Sequence, residues 1–523
     1  MKNSVKRLLN LMIAISLVLV VTSCGDDDDP PAPTCAAPTV AAPSSNLTVV
    51  AGEDVNVSFT VTSECGVTNT GLGVTGGTVS QVDDPTAGTI TVTFTAGDAA
   101  GAGSVTLTVT DSEGQTANAT AVITIEEDPS TVTVTDNITA DVTWETGKTY
   151  ILAGRIAVED GATLTIEGGA VVKGQAGEGA NATALLVAQG GKLNANGTAA
   201  LPIIFTSVAD ELTPADVAAG NLASPNLPAT QTSLWGGVLI LGKAPISASG
   251  GAESVQIEGI PPSDTNGLYG GNVADDNSGS ITYISIRHGG ADIGEGNEIN
   301  GLTLGGVGSG TTISYVEVVG NKDDGIEYFG GTVNTSNTVV WNAGDDSYDS
   351  DQAWDGTADN FIAVLGPQSD HGMEIDGPES ATNPDGVNKF TNGTIFGNQD
   401  TAGGEYADLR SNAKVDITNV YFLNGKTSSD FELDNNGVAQ NYLDELINLT
   451  GLEFNESHLD AADQRTIDQI VIEKTGDGET PLDVFTTRPL DASVKVVTTP
   501  TVGANTSAFE GWSWADEAGG LDF

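Results

Sequence analysis

Asp324-Gly325-Ile326-Glu327 is the first of five four-residue segments that end in a carboxylate and recur along the chain. The others are Asp346-Ser347-Tyr348-Asp349, His371-Gly372-Met373-Glu374, Glu405-Tyr406-Ala407-Asp408 and Ser429-Asp430-Phe431-Glu432. Their last residues are 22, 25, 34 and 24 positions apart. Recurrence at about 20–50 residues is typical of stacked repeat units. The spacing therefore predicts a solenoid in which each segment occupies the same place in successive coils.

Equivalent positions in neighbouring coils of a β-solenoid lie about 4.8 Å apart, so these segments predict two rows of polar side chains on one face. The first, here called the carboxylate row, comprises Glu327, Asp349, Glu374, Asp408 and Glu432. The second, here called the turn row, comprises Asp324, Asp346, His371 and Glu405. Like charges at this spacing cost free energy unless a cation or a shared proton offsets them. This face is therefore the first candidate for a functional site.

The sequence around these segments is typical of an all-β chain. Short Val-, Ile- and Thr-rich strands alternate with Gly and show no helical periodicity, as in Gly161-Ala162-Thr163-Leu164-Thr165-Ile166-Glu167-Gly168-Gly169. We predict a right-handed parallel β-helix over residues 136–485, with insertions at 209–232 and 250–279 and a C-terminal cap segment at 486–523. Asn follows several strands, and we expect these amides to bond one another between coils; they are Asn321, Asn342, Asn398 and Asn424.

A different pattern precedes the solenoid. Residues 46–127 contain alternating strands such as Ser104-Val105-Thr106-Leu107-Thr108-Val109-Thr110, with turn signals every 8–12 residues. This pattern predicts a β-sandwich, and the turn Asp111-Ser112-Glu113-Gly114 before the last strand resembles bacterial Ig-like domains. Residues 128–135 are predicted to be a linker.

The N-terminal segment has the pattern of a targeting signal. Lys2, Lys6 and Arg7 precede the apolar run 8–21, so residues 1–23 are predicted to be a signal peptide. Val21-Thr22-Ser23-Cys24 resembles the bacterial lipoprotein signal, which implies acylation of Cys24 and an outer-membrane lipid partner. The acidic and Pro-rich tether 24–45 resembles the export tag of Bacteroidota surface lipoproteins. It implies display on the surface of a Gram-negative cell.

Charge and cysteine content exclude several classes of function. The formal net charge is −53, from 71 acidic and 18 basic residues. Such a chain lacks the basic footprint that nucleic-acid binding requires. With Cys24 assigned to lipid, Cys35 and Cys65 remain, and an exported protein favours a disulfide between them. A zinc-type Cys/His pattern is missing from the sequence.

Several segments carry a family resemblance that covers most of the solenoid; they are Ser233-Leu234-Trp235-Gly236-Gly237, Ile286-Arg287-His288-Gly289-Gly290, Asn300-Gly301-Leu302-Thr303-Leu304-Gly305-Gly306 and Asp323-Asp324-Gly325-Ile326-Glu327-Tyr328-Phe329-Gly330-Gly331. With them the chain resembles Bacteroidota outer-surface lipoproteins that carry a β-helix of the pectate-lyase-like superfamily. The resemblance implies a fold and a cellular address, but no activity.

A second resemblance concerns catalysis. The order Asn321-Lys322-Asp323, Asp345-Asp346, His371-Gly372 and Arg410 is similar to that of polygalacturonase-like β-helix hydrolases. By this resemblance Asp346 is the general acid, Asp323 or Asp324 with Asp345 activates water, and His371 and Arg410 contact substrate. Two positions depart from the family: Asp370 replaces the Gly before His371, and Asn412 replaces a Lys two residues after Arg410.

Binding without catalysis explains the same residues. Carboxylates from adjacent coils can hold Ca²⁺, which takes six to eight oxygens, and the predicted metal ligands are Asp345, Asp346, Asp349 and Asp351. The carboxylate row with Trp354 forms the predicted glycan-binding surface. Our main prediction is thus a surface lipoprotein that binds a glycan, Ca²⁺ or both. A polysaccharide hydrolase and a non-catalytic scaffold or adhesin that contacts surface proteins are the alternatives. Carboxylates that are merely solvated and screened by salt, with no ligand, are the interpretation without a function.

Overall fold

A computed structural model describes residues 35–523 except 81–85, 87, 98, 295–296, 382, 384, 402 and 477. The predicted signal peptide and Cys24 lie outside the described residues. The chain divides into two compact units, the first ending at Asp128 and the second running from Pro129 to Phe523. Within the described part, no helix has the length and apolar character needed to cross a membrane.

The first unit contains two four-stranded sheets that share one apolar core, in which Val57, Phe59, Phe94 and Leu107 are fully buried. Alternation along each strand sends every second side chain into this core. A disulfide joins Cys35 to Cys65 with the Cα atoms 6.0 Å apart, as predicted. The strands are Thr39–Ala41, Leu47–Val50, Asp54–Thr62, Val67–Thr75, Gly77–Val79, Gly88–Ala96, Gly101–Asp111 and Thr116–Glu126.

The second unit is a parallel β-helix, which confirms the predicted all-β fold. Its coils contribute to two parallel sheets of 15 and 10 strands, here called the long-strand and short-strand sheets. The long-strand sheet comprises Thr131–Val134, Val142–Trp144, Thr149–Leu152, Thr163–Glu167, Val171–Gly174, Lys192–Asn196, Ile203–Ser207, Gly279–Arg287, Thr312–Val319, Thr335–Trp341, Thr357–Val364, Asn388–Phe396, Val415–Leu423, Ile447–Asn455 and Lys495–Val496. The short-strand sheet comprises Arg155–Val158, Ala184–Val187, Val238–Leu241, Leu302–Gly305, Ile326–Phe329, Tyr348–Asp351, Met373–Ile375, Ala407–Leu409, Phe431–Leu433 and Val471–Glu473.

Shorter elements lie outside these sheets. The hairpin formed by Val255–Gln256 and Leu268–Tyr269 belongs to the insertion 250–279, and a second hairpin pairs Asp292–Gly294 with Asn297–Glu298. The helices are Pro214–Ala219, Asn436–Leu443, Ile467–Ile470, Val484–Thr487 and Trp514–Glu517, and the 3₁₀ turns are Gly179–Asn181, Ser249–Gly251, Thr265–Gly267 and Thr506–Phe509.

The strands extend beyond the predicted limits of the solenoid. Thr131–Val134, within the predicted linker 128–135, pairs with Thr149–Leu152 and is the first strand of the long-strand sheet. Lys495–Val496, within the predicted cap 486–523, pairs with Glu453 and Phe454. Edge strands this short carry too few residues to show a pattern in the sequence, although each completes the backbone hydrogen bonds of its neighbour.

Trp354 belongs to the core, which corrects its predicted role as a glycan contact. Its side chain is fully buried and stacks on Tyr328 with ring centroids 3.9 Å apart. The indole Nε1 donates to the backbone oxygen of Val333 at 3.0 Å, so the polar end of the ring is also satisfied. A buried aromatic residue that has found its hydrogen-bond acceptor contributes to stability and cannot meet a sugar.

Several later strands of the long-strand sheet contain one residue with left-handed backbone, and Asn at this position bonds Asn of the neighbouring coil. Asn337, Asn360, Asn392 and Asn419 have φ between 54° and 58°. Asn360 Nδ2 donates to Asn337 Oδ1 at 2.7 Å, and Asn419 Nδ2 donates to Asn392 Oδ1 at 3.2 Å. The predicted ladder is therefore misplaced: the amides of Asn398 and Asn424 donate to the backbone oxygens of Leu365 and Gly397 instead.

We expect Asn360→Ala to lower the free energy of unfolding by about 1–2 kcal/mol, because left-handed backbone disfavours a Cβ and the amide bonds are lost. Urea unfolding measures the change. Asn360→Gly is the matched control, since it keeps the left-handed backbone at low steric cost and loses only the amide. An alanine variant as stable as the natural protein would contradict this account.

Candidate functional site

The strand register confirms that the carboxylate row is aligned as the spacing predicts. Glu327 pairs with Asp349, Asp349 with Glu374, Glu374 with Asp408 and Asp408 with Glu432 in successive short strands. The turn row is aligned as well, because backbone hydrogen bonds lead from Gly325 to Asp346, from Ser347 to His371 and from Gly372 to Glu405. The carboxylate row ends at Glu432, because the residue paired with it in the next coil is the apolar Ile472.

Most of these side chains are buried, which contradicts the interpretation of the rows as solvated charges. Asp346 is 3 % exposed, Glu374 5 % and Glu432 2 %. They lie on the outer side of the short-strand sheet, because the residues next to them in each strand, such as Ile326 and Tyr328, belong to the core. Carboxylates removed from water need a cation, a proton or hydrogen-bond donors. The chemistry of each part of the two rows therefore depends on whether a cation, a proton or hydrogen-bond donors compensate its carboxylates.

His371 provides the positive charge in the middle of the turn row. Its Nδ1 lies 2.7 Å from Asp346 Oδ1 and 3.6 Å from Glu374 Oε2, and its Nε2 lies 3.6 Å from Glu405 Oε2. Burial disfavours the imidazolium, but the carboxylates of Asp346 and Glu405 outweigh it and raise the pKa of His371 to about 11. His371 is therefore a cation that neutralises this cluster, which makes it unsuitable as a metal ligand.

Arg410 and Lys474 neutralise the later coils. Arg410 forms ion pairs with Glu374 and, at 3.0 Å through Nε, with Asp376. Lys474 forms an ion pair with Glu432. Asp376 was not predicted, although its position directly after a short strand could have indicated it. Even with Arg410 beside it, burial and the charge of Asp346 raise the pKa of Glu374 to about 9.

The first coils of the row lack such a cation. Oxygens of Asp324, Glu327 and Asp349 lie within 4.8 Å of one another, and none of the three forms an ion pair among the described residues. Burial raises the pKa of all three well above the usual range, and each is repelled by a neighbouring carboxylate. Asn300 donates to Glu327, and the backbone N–H of Asp346 donates to Asp324 at 2.9 Å. The buried Oδ1 of Asp349 has no hydrogen-bond partner.

This group, here called the triad, fits Ca²⁺. The ion binds oxygens at about 2.3–2.6 Å, so two ligands of one ion are at most about 5 Å apart. The triad supplies hard carboxylate oxygens within that limit and an orphaned buried acceptor. Asp408, Glu432 and Asp434 form a similar group in which Asp408 Oδ1 is unpaired, but Lys474 already binds Glu432.

The predicted metal set is corrected by this geometry. Asp345 groups with Asp323 and Asp324, Asp346 groups with His371 and Glu374, and Asp349 belongs to the triad. Asp351 joins no such group among the described residues, because it lies at the far end of its strand beside Phe329 of the neighbouring coil. The four residues are close in sequence, but Asp345 and Asp346 precede the strand Tyr348–Asp351, and Asp351 lies two residues beyond Asp349 along it.

The predicted catalytic residues are only partly brought together. Asp346 and His371 are in contact, and Arg410 is joined to them through Glu374. Asp346 Oδ1 accepts bonds from both the backbone N–H and Nδ1 of His371. Asp345 is exposed beside the turn row, with Asp323 and Asp324 as its neighbours. Whether this cluster catalyses a reaction remains a prediction.

A parallel β-helix with an acidic short-strand face defines the class of protein, and comparison identifies its family. Residues 136–512 match the family described as "Pectate-lyase like beta helix domain", and the chain belongs to this family. A solved structure titled "Structure of Yersinia enterocolitica Family 28 Exopolygalacturonase" is 10 % identical, with 80 % of this chain and 92 % of that chain covered and a TM-score of 0.18. A likeness at this level carries no weight in the assignment of a function. No curated protein matches the sequence.

Proposed function

We propose that this protein is a cell-surface lipoprotein whose acidic short-strand face binds a polysaccharide with the help of Ca²⁺. Asp324, Glu327 and Asp349 would hold the ion. The observation that carries the proposal is the triad itself: three close carboxylates without an ion pair, one of them with a buried unpaired oxygen. The lipid on Cys24 would anchor the chain to the outer membrane.

The family supports a carbohydrate ligand, because its description names a pectate lyase, an enzyme that acts on a polysaccharide. Ca²⁺ would neutralise the triad and offer its remaining coordination positions to oxygens of a ligand. The chain's own residues supply the fixed part of the site, since strand pairing sets the spacing of Glu327 and Asp349, and Asp324 precedes the same strand by two residues. Surface proteins as partners explain the tether equally well but give no reason for the triad.

We expect retardation of the protein in gels that contain acidic algal or plant polysaccharides when Ca²⁺ is present, and loss of retardation with chelator. Asp349→Asn removes a ligand charge and should abolish the Ca²⁺ effect. Asp463→Asn is the matched control because Asp463 is an exposed acid outside the short-strand face. Retardation unchanged by chelator and by Asp349→Asn would contradict the proposal.

Hydrolysis is the second candidate, favoured by the raised pKa of Glu374, which keeps a proton available beside Asp346. One observation favours binding over hydrolysis. Asp346 is already paired with His371 at 2.7 Å and Glu374 with Arg410, whereas the triad has no ion pair among the described residues. Reducing-end release that disappears in Asp346→Asn and Glu374→Gln would establish hydrolysis.

A further inference from the structure

A second group of carboxylates lies at the C-terminal end of the carboxylate row. Oxygens of Asp408, Glu432 and Asp434, here called the terminal group, lie within 4.8 Å of one another. Strand pairing places Asp408 beside Glu432 in successive coils, and Asp434 directly follows the strand Phe431–Leu433. Ligand oxygens this close can bind one Ca²⁺, because the ion holds each oxygen at about 2.3–2.6 Å. The group therefore has the dimensions of a calcium site, two coils beyond Asp349.

The Asp408 carboxylate adds an observation that does not depend on the proximity of the three acids. The residue is only 7 % exposed, its Oδ1 is buried without a hydrogen-bond partner, and it forms no ion pair among the described residues. Burial raises the pKa of Asp408 to about 6, so the side chain is ionised above that pH. A buried anionic acceptor without a donor costs free energy, and a bound cation would remove this cost.

Asp430 extends the excess of negative charge around Glu432. Its Oδ1 is also buried without a hydrogen-bond partner, and an oxygen of Asp430 lies within 4.8 Å of oxygens of Glu432 and Glu405. Lys474, through Glu432, provides the single ion pair that the described residues give to Asp430 and the terminal group. One ammonium group thus faces four carboxylates, and the remaining negative charge favours an additional cation.

Lys474 is held by its backbone, but its side chain can move. Its backbone N–H donates to the oxygen of Leu433 at 2.8 Å, directly after the last short strand Val471–Glu473. The Lys474 side chain is 41 % exposed, whereas that of Glu432 is 3 % exposed. A lysine with this exposure can turn its ammonium group into water while the buried carboxylate stays in place. Lys474 therefore competes with a metal ion for Glu432 and does not close the site.

We propose that the terminal group is a second Ca²⁺ site, in which Lys474 is a competitor of the ion supplied by the chain itself. The ion displaces the ammonium group from Glu432 and binds oxygens of Asp408, Glu432 and Asp434, and water completes its coordination. This competition makes the site weaker than the triad, which has no ion pair to break. The proposal goes beyond the proposed function, because it requires neither a polysaccharide nor an intact triad.

Calorimetric titration with Ca²⁺ tests the proposal, in about 0.15 M salt to screen non-specific attraction. Asp349→Asn disables the triad, so the binding that remains reports on the terminal group. We expect this variant to bind one Ca²⁺ per chain and the double variant Asp349→Asn/Asp408→Asn to bind none. Lys474→Gln, added to Asp349→Asn, should tighten the remaining site about tenfold, because it removes the competing charge.

Lys495→Gln is the matched control for Lys474→Gln. Lys495 also pairs with a buried glutamate, with its Nζ 3.2 Å from Glu453 Oε1, and its side chain is 48 % exposed. It lies on the long-strand sheet, in a pair that includes no member of the terminal group. In the Asp349→Asn background, Lys495→Gln should leave the affinity for Ca²⁺ unchanged.

Three results would overturn the proposal: no Ca²⁺ binding in Asp349→Asn/Lys474→Gln, equal affinities in the two lysine variants, or binding that persists in Asp349→Asn/Asp408→Asn. If Asp408→Asn fails to fold, the comparison of the two partly exposed lysines decides the question. The Asp349→Asn background also separates the two proposals. Binding that disappears with Asp349→Asn, even when Lys474→Gln is added, rejects the terminal group and retains the triad, whereas binding of one ion that Asp349→Asn leaves unchanged rejects the triad and retains the terminal group.

Discussion

We expect Ca²⁺ to raise the unfolding temperature of the chelator-treated protein by several degrees. An ion that binds only the folded chain adds about 2.7 kcal/mol to the free energy of unfolding when its concentration is one hundred times its Kd. The unfolded chain cannot compete, because strand pairing alone brings Asp324, Glu327 and Asp349 together. Differential scanning fluorimetry with increasing Ca²⁺ measures the shift.

Two controls separate a specific site from general charge screening. Mg²⁺ at the same concentration screens equally well but requires a tighter octahedral shell, so its shift should be smaller. Asp349→Asn should lose most of the Ca²⁺ shift, whereas Asp463→Asn should retain it. Equal shifts with both ions in all three proteins would show that the triad holds no ion and that the charge of −53 is merely screened.

The distribution of positive charge along the row explains why the triad is distinct. His371, Arg410 and Lys474 serve the middle and later coils, where each forms an ion pair with a carboxylate of the rows. Lys322 near the first coils is exposed and forms no ion pair with the triad. The rows are thus continuous in geometry, but their negative charges are not neutralised evenly. The triad is the part without a neighbouring cation, and it is therefore the part where we expect an added cation to bind most tightly.

Strand register was predictable from the sequence, whereas burial was not. The recurrence of carboxylates at 22 to 34 residues gives the alignment of Glu327, Asp349 and Glu374, because one coil of a solenoid returns each segment to the same place. What covers that face depends on side chains from other coils and on the insertion. No spacing within the five segments contains this information.

The wrong predictions arise because they depend on contacts between residues that are far apart in the sequence. Trp354 lies in an acidic stretch and was predicted to be exposed, but alternation and the turn after its strand direct it onto Tyr328 in the core. Ser249, at the start of the insertion, donates its backbone N–H to Glu379, 130 positions further along the chain. Contacts at that separation depend on how the insertion folds back, and an unrepeated insertion offers no period from which to predict it.

In the presence of chelator, we expect the free energy of unfolding to fall as the pH rises from 5 to 8. Burial and neighbouring charge raise the pKa of Asp323 to about 7, of Asp351 to about 8 and of Glu374 to about 9. In the unfolded chain these groups lose their protons near pH 4, so between the two values the folded state binds more protons. Stability then decreases with rising pH.

Other groups modify this slope in known directions. The raised pKa of His371 acts in the same sense above pH 6.5, whereas the lowered pKa of buried His288 acts in the opposite sense below it. Urea unfolding at a series of pH values measures the combined effect of all these groups on the free energy of unfolding.

Glu374→Gln removes one of the extra protons of the folded state and should make the dependence of stability on pH shallower. Ca²⁺ should also reduce the slope, because the ion replaces protons at the triad. A free energy of unfolding that rises from pH 5 to 8 in chelator would show that the carboxylates are ionised and stabilised within the chain itself, and the case for an added cation would fail.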